Sequence, residues 1–198
     1  MSNEASIHHE DVHIAHGKHD AHHEHHHHET FITKYVFSQD HKMIAKQFLV
    51  TGMMWAIIGG LFSVVFRLQL GYPESTFPWL EDFLGHWAKG GKLQPEFYYA
   101  LVTMHGTILV FFVLTAGLSG TFANFLIPLQ VGARDMASPF LNMLSYWFFF
   151  LASIIMFSSL FVQTGPASGG WTVYPPLSAL GDASSGSKIG MDLWLVSM

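Results

Sequence analysis

The chain has 198 residues, is 50% hydrophobic and 12% charged, and carries a formal net charge of -5 with its histidines neutral. An average soluble domain is about 25% charged, so this composition indicates a membrane protein. The sequence has no cysteine, which excludes disulfides, thiolate metal sites, iron–sulfur clusters and c-type haem attachment within the chain. Acidic residues stand where a signal peptide has its basic segment, so we expect the first apolar helix to direct membrane insertion.

Residues 1–30 form a polar, low-complexity segment, and eleven of the fourteen histidines lie before residue 30. Such a segment cannot bury an apolar face, and we predict that it is a disordered His-rich tail. The alternative is weak binding of copper, zinc or nickel, because clustered imidazoles without a fixed geometry have affinity but little specificity.

Three long apolar stretches predict membrane-spanning helices. We place the spans at about 47–66, 97–129 and 139–162, with the start of a fourth at 191. A helix rises about 1.5 Å per residue, so about twenty residues cross a hydrocarbon core of about 30 Å. The predicted fold class is therefore an all-α membrane protein. Because the fourth stretch is short, we expect residues 31–198 to be the N-terminal part of a longer membrane domain.

A polar loop that contains several prolines, residues 71–96, separates the first two spans. Within it, residues 77–88 mix aromatic and leucine side chains with acidic ones, which is typical of a short helix lying in the membrane surface. A plain extramembrane loop is the alternative. Lysine and arginine are balanced between the two sides of the spans, so the positive-inside rule does not orient the chain.

The sequence from 97 to 133 carries no charged side chain apart from one histidine, His105. A titratable ring in hydrocarbon is costly, and such a residue is by default a candidate functional site. Neutral imidazole binds iron, copper or zinc, and a haem takes one axial ligand on each face. The alternative is a structural hydrogen bond from His105 to a neighbouring helix.

Arg67 ends the first span on the same side of the membrane as His105. Its guanidinium either extends to the membrane interface or pairs with an anionic or carbonyl group of a cofactor. Together, the two residues suggest a ligand that carries both a metal and an anion, as haem does.

On the opposite side lie Asn124, Asp135 and Asn142. Asn124 and Asp135 are eleven residues apart, about three helical turns, so they share one face only if the helix continues between them. A carboxylate near a membrane mouth, with amides behind it, is typical of the start of a water-filled proton path. The alternative is a helix-connecting turn capped by the Asp and Asn side chains.

Five sequence blocks, taken together and in this order, resemble subunit I of the haem–copper terminal oxidases, the cytochrome c and quinol oxidase family. The blocks are Asp-His-Lys at 40–42, the glycine-rich first span ending in Arg67, Thr-Met-His-Gly-Thr at 103–107, the segment 123–137, and Gly-Trp-Thr-Val-Tyr-Pro-Pro-Leu at 170–177. One departure is Gln69, where many relatives carry Glu, and this departure puts a surface cation site there in doubt.

The resemblance implies a fragment of a twelve-helix-type subunit and assigns roles to single residues. His105 would be an axial ligand of the low-spin haem, a haem A or a haem B or O variant, and Arg67 would hydrogen-bond a substituent of that haem. Trp171 would lie near the propionates of the active-site haem. Asp135, Asn124 and Asn142 would form the entrance and lower lining of the proton-uptake path called the D channel.

The resemblance further implies that the full-length subunit reduces O₂ to water with electrons from cytochrome c and translocates protons, whereas this fragment alone is inactive. The active-site haem and CuB would have their ligands outside this chain. The implied partners are the remainder of subunit I, subunits II and III, the electron donor and membrane lipid, with no nucleic acid. The implied location is the bacterial inner membrane with a cytoplasmic N-terminus. Two alternatives are a quinol oxidase of the same family and a non-catalytic metal-binding membrane protein.

Overall fold

The computed structural model describes residues 30–163, 165–176, 180 and 188–198, and in these residues all regular structure is helical. The main helices are α1 (His41–Gly71), α2 (Pro78–Leu84), α3 (Pro95–Val131), α4 (Pro139–Ser159) and α5 (Lys188–Ser197). Short helical turns cover Ile32–Val36 and Gly85–Gly91. Three of the helices, α1, α3 and α4, are long and apolar enough to cross a membrane. The predicted all-α class with three spans is confirmed, whereas the predicted tail lies outside the described residues except for Thr30.

The helix ends differ from the predicted spans for local reasons. α1 begins six residues before the apolar stretch because Asp40 caps it, its Oδ2 accepting a hydrogen bond from the Met43 backbone N–H at 3.2 Å. Both α3 and α4 begin with proline, which fits the first helical turn because that position needs no N–H donor. α3 ends at Val131, where Gly132 takes a left-handed conformation with φ 71°.

The three spans pack closely, with α1 crossing α3 through glycine. A Cβ added at Gly52 would lie 2.9 Å from the Gly117 Cα, and a Cβ added at Gly120 would lie 2.7 Å from the Phe48 ring. Small residues allow such close approach of helices in lipid, where packing rather than the hydrophobic effect drives association. Because Gly52 lies beside Gly117 and Phe48 beside Gly120, α1 and α3 are antiparallel and their registers are fixed.

The segment between α1 and α3 folds back onto the ends of both helices. Leu80 of α2 is 1% exposed and belongs to a buried cluster with Phe97 and Leu101 of α3. The Gln69 side-chain oxygen accepts a hydrogen bond from the Leu93 backbone N–H at 3.0 Å, which ties the loop to the last turn of α1. A helix therefore forms within the predicted 77–88 segment, and it leaves the Phe83 side chain 83% exposed.

The outward faces of the spans are apolar and exposed. On α1, an exposed stripe contains Val50, Ile57, Leu61 and Val64. Large apolar patches of this kind mark lipid or protein contacts. The surface is that of an integral membrane protein.

Candidate functional site

His105 lies on α3 and turns its ring toward α1. Its Nδ1 is 2.8 Å from the backbone carbonyl oxygen of Gly59. A carbonyl oxygen only accepts hydrogen bonds, so Nδ1 carries the hydrogen and, in the neutral ring, Nε2 keeps a free lone pair. The geometry thus fixes which ring nitrogen is available for a metal.

This arrangement unites the two sequence-based interpretations of His105. The ring does make a structural hydrogen bond to a neighbouring helix, but the bond uses one nitrogen alone. Histidines that ligate metals commonly donate their second N–H to a backbone carbonyl, which orients the ring and raises its basicity. The ring is half-buried and packs edge-on against Phe66 at 5.4 Å between centroids, and no described residue makes a hydrogen bond to Nε2. The residues present therefore fit a haem iron ligand at this position.

Arg67 follows Phe66 and lies in the last part of α1. It is eight residues beyond Gly59, about 12 Å farther along the helix axis. Its side chain is exposed, and among the described residues it makes no ion pair. The structure therefore brings Arg67 and His105 to the same end of the bundle without direct contact, and leaves the guanidinium free to meet a ligand or the interface.

The opposite face of α3 carries a threonine that two tryptophans share. Thr107 Oγ1 accepts from the indole N–H of Trp171 at 3.1 Å and from that of Trp194 at 3.0 Å, while its own O–H donates to the Thr103 carbonyl at 2.8 Å. Trp171 also packs near Gly106, the residue after His105. The indole N–H of Trp171 is thus already used, and its half-exposed ring remains as a contact surface.

At the other end of the bundle, Asp135 meets the start of α1. Its Oδ1 accepts from the His41 Nδ1 at 3.2 Å and from the Met136 backbone N–H at 2.7 Å. His41 is 2% exposed, and its Nε2 is buried without a hydrogen-bond partner in the described part of the chain. Asp40 Oδ1 lies 3.6 Å from the same His41 nitrogen. A carboxylate at the membrane edge is therefore held by an imidazole from the first span.

Asn124 is buried inside the bundle and Asn142 is half-buried in the first turn of α4, and each has one buried polar atom without a hydrogen-bond partner among the described residues. Asn124 is 5% exposed and donates through Nδ2 to the Gly120 carbonyl at 2.7 Å, which leaves its Oδ1 buried without a partner. Asn142 Nδ2 is also buried without a partner among the described residues. Buried polar groups are normally hydrogen-bonded, and buried water commonly satisfies those that protein atoms leave unpaired. An orphaned acceptor and an orphaned donor are the lining that an ordered water chain requires.

Asn124 and Asp135 do not share one helix face, because α3 ends at Val131 before it reaches Asp135. Neither side chain caps α4, whose N-cap is Ser138, although the Asp135 carboxylate accepts the Met136 backbone N–H within the connecting turn. Asp135 instead contacts the bundle through its hydrogen bond with His41. Sequence reasoning missed this role of His41, although a histidine at the start of the first span, on the same side as Asp135, was a usable signal.

The fold and site define a class: an integral membrane protein of several helices, with one histidine nitrogen available as a metal ligand between the helices. A sequence profile of the family described as cytochrome c and quinol oxidase polypeptide I matches residues 43–198. The chain belongs to this family, whose members are subunit I of the haem–copper oxidases and contain haem and copper.

Individual relatives agree with this assignment. The chain is 42% identical over 166 residues to the alternative cytochrome c oxidase subunit 1 of Bradyrhizobium diazoefficiens, a match that covers 84% of this chain and 26% of that protein. It is 40% identical over 165 residues to cytochrome c oxidase subunit 1 of a Synechocystis species, covering 83% and 26%. It is 36% identical over 149 residues to heme-copper oxidase subunit I+III of Aeropyrum pernix, covering 75% and 16%. The chain thus spans about a quarter of the length of the first two relatives.

Proposed function

We propose that this chain is the N-terminal part of the catalytic subunit of a proton-pumping terminal oxidase that reduces O₂ to water with electrons from cytochrome c. The observation that carries the proposal is the hydrogen bond from His105 Nδ1 to the Gly59 carbonyl at 2.8 Å, which leaves Nε2 as a neutral ligand atom inside the membrane. A quinol oxidase of the same family is the second candidate.

In this proposal His105 is an axial ligand of the low-spin haem, a haem A or a haem B or O variant. A low-spin haem, when bound, passes electrons one at a time toward the site of oxygen reduction. The Gly59 carbonyl holds the imidazole in the tautomer that offers Nε2, and the Phe66 ring limits its rotation. Arg67 binds a substituent of the haem, because its exposed guanidinium lies at the same end of the bundle.

For Trp171 the proposal is narrower. Its indole N–H donates to Thr107, so a hydrogen bond to a propionate of the active-site haem requires the ring to exchange partners. The exposed ring, 52% accessible, supplies an apolar contact without that exchange.

Asp135 is proposed as the collecting group of the proton-uptake path, with Asn124 and Asn142 behind it. The carboxylate accepts a proton at the membrane edge, where His41 orients it. The neutral amides then order water without trapping charge, as their orphaned oxygen and nitrogen atoms allow. Placing a charge-binding group at the mouth and neutral groups inside avoids the cost of an ion in hydrocarbon.

The remaining parts of the proposal concern the complete enzyme. The active-site haem, CuB and the second ligand of the low-spin haem belong to the remainder of subunit I, and the partners are subunits II and III, the electron donor and lipid. The name of the Aeropyrum pernix relative, subunit I+III, supports an association with subunit III. The proposed location is the bacterial inner membrane with the N-terminus in the cytoplasm. Membership of the oxidase family weighs against a non-catalytic metal-binding protein.

The ligand assignment is tested by replacing His105 with alanine in the full-length oxidase and recording the reduced-minus-oxidised spectrum. The low-spin haem alpha band should be lost. His86→Ala is the matched control, since His86 is an exposed histidine of the short turn after α2 and its loss should leave the band intact. Retention of the low-spin band in His105→Ala would refute the assignment.

The channel assignment is tested with Asp135→Asn in the enzyme reconstituted into liposomes. Proton uptake should slow by about 10²-fold or more, the range expected when a positioned proton-transfer group is removed. The haem spectrum should not change, since Asp135 and His105 lie at opposite ends of the bundle. Asp82→Asn, in α2 at the other end, should have no effect. Normal uptake and pumping in Asp135→Asn would contradict the role.

A further inference from the structure

One face of α4 carries polar side chains at regular intervals. Asn142, Tyr146 and Ser153 are spaced four and seven residues apart, so they form one stripe on the helix. Tyr146 is 7% exposed and Ser153 is 4% exposed, and the Ser153 Oγ has no hydrogen-bond partner among the described residues. Phe149 and Met156 are also buried on this face, so Tyr146 and Ser153 are polar positions within an otherwise apolar buried face of α4.

The hydroxyl of Tyr146 meets a second hydroxyl, that of Thr51 on α1. The two oxygens are 3.1 Å apart, both residues are buried, and either oxygen can be the donor. Other threonines of the spans behave differently: Thr107 and Thr121 donate to the carbonyl four residues earlier in their own helix. Thr51 instead directs its hydroxyl to another span.

The pair lies deeper in the bundle than the channel amides. Asn124 donates to the Gly120 carbonyl, and Gly120 lies against Phe48. Gly117 lies three residues before Gly120, farther from the Asp135 end of α3, and packs against Gly52. Thr51 is the neighbour of Gly52 and follows Phe48 by three residues, so its Cα lies about 4.5 Å farther from the Asp135 end than that of Phe48. On α4, Tyr146 likewise follows Asn142 by one turn.

We propose that Thr51 and Tyr146 form a hydroxyl relay that carries protons inward from the amides. The proposal rests on the proposed function, because it extends the path that begins at Asp135. A hydroxyl pair suits this step because each oxygen both donates and accepts. Its bond can reverse direction without moving a heavy atom.

The relay step leaves no charge behind. A proton arriving on the Tyr146 oxygen from the Asn142 side is matched by release of the proton already on that oxygen to the Thr51 Oγ, as the Thr51 O–H proton leaves on its far side. One O–H bond forms and one breaks at each oxygen, and both groups end neutral with their hydrogen bond reversed. Rotation of both O–H groups about their C–O bonds then restores the original direction of the hydrogen bond before the next proton arrives.

The test compares Tyr146→Phe and Thr51→Val in the full-length oxidase in liposomes. Both changes remove a hydroxyl and keep the side chain's shape. Proton uptake and the number of protons pumped per electron should fall, with uptake slower by about tenfold, less than for a lost collecting group because water partly replaces a hydroxyl. Thr51→Ser, which keeps the hydroxyl, should restore uptake. The low-spin and active-site haem bands should not change.

Thr121→Val is the matched control, because Thr121 is a buried threonine of α3 whose hydroxyl bonds only within its own helix. It should leave uptake normal, and equal slowing in Thr121→Val would overturn the relay in favour of packing. Normal uptake in Tyr146→Phe and Thr51→Val, with Asp135→Asn slowed, would overturn the relay alone. Normal uptake in Asp135→Asn as well would overturn the proposed function. If Tyr146→Phe lacks the haem bands, proton uptake is compared between Thr51→Val and Thr51→Ser. Slower uptake in Thr51→Val alone supports the relay, and equal uptake in the two variants overturns it.

Discussion

Replacing Gly52 with alanine should destabilise the bundle, because α1 and α3 touch at this residue through backbone atoms. The added Cβ would lie 2.9 Å from the Gly117 Cα. Carbon atoms pack best at about 3.5–4.0 Å, so the helices must separate by about 0.6–1 Å, which loses contacts along the seam. Overpacking of this kind costs about 1–3 kcal/mol.

Gly60→Ala is the matched control on the same helix. No atom of the described residues lies within 4 Å of a Cβ built at Gly60, and alanine is favoured over glycine inside a helix by up to about 1 kcal/mol. Because both variants gain the same helix propensity, they should differ by the overpacking cost alone, about 1–3 kcal/mol in the free energy of unfolding. Titration of the full-length subunit with a denaturing detergent, followed by circular dichroism, measures this difference. Equal stability of the two variants would refute the close crossing at Gly52.

Two further predictions concern single hydrogen bonds. Thr107→Val should destabilise the protein by about 1–3 kcal/mol because the buried indole N–H of Trp194 loses its acceptor, with a smaller contribution from the half-exposed Trp171. Tryptophan fluorescence should then shift as the rings move, and an unchanged spectrum and stability would contradict the shared acceptor. Gln69→Leu should loosen the loop after α1 by about 1 kcal/mol, because the Leu93 N–H loses its partner, whereas Gln69→Glu keeps an acceptor. Hydrogen exchange at Leu93 should rise in the first variant, and equal exchange in both would count against the bond.

The helical fold follows from the sequence because long apolar stretches have few alternatives in lipid. His105 is equally visible as a candidate, since it is the one imidazole in a long charge-free stretch. Its hydrogen-bond acceptor is not visible, because the Gly59 carbonyl belongs to the backbone and no side-chain pattern reports it. The free nitrogen, on which the ligand role depends, therefore needed the structure.

Contacts between distant parts of the chain were the least predictable. His41 and Asp135 are 94 residues apart, and their pairing depends on how α1 and α3 cross and on where α3 ends. Helical periodicity suggested an Asn124–Asp135 alignment instead, but Gly132 stops the helix first. Tyr146 is one of several consecutive aromatic residues, so the sequence does not distinguish its hydroxyl from a packing position. The hydrogen bond to Thr51 is visible only in the structure.

The distance along α1 between the levels of Asp135 and His105 has an energetic consequence for the proposed enzyme. His41 and Gly59, which mark the levels of Asp135 and His105, are eighteen residues apart, about 27 Å along the axis, nearly the full thickness of the hydrocarbon core. A proton drawn inward along this line crosses part of the membrane's electric field, and a full crossing against 100 mV requires about 2.3 kcal/mol per charge. Proton uptake through this helix bundle should therefore generate voltage, and respiration should slow as the membrane becomes more strongly polarised.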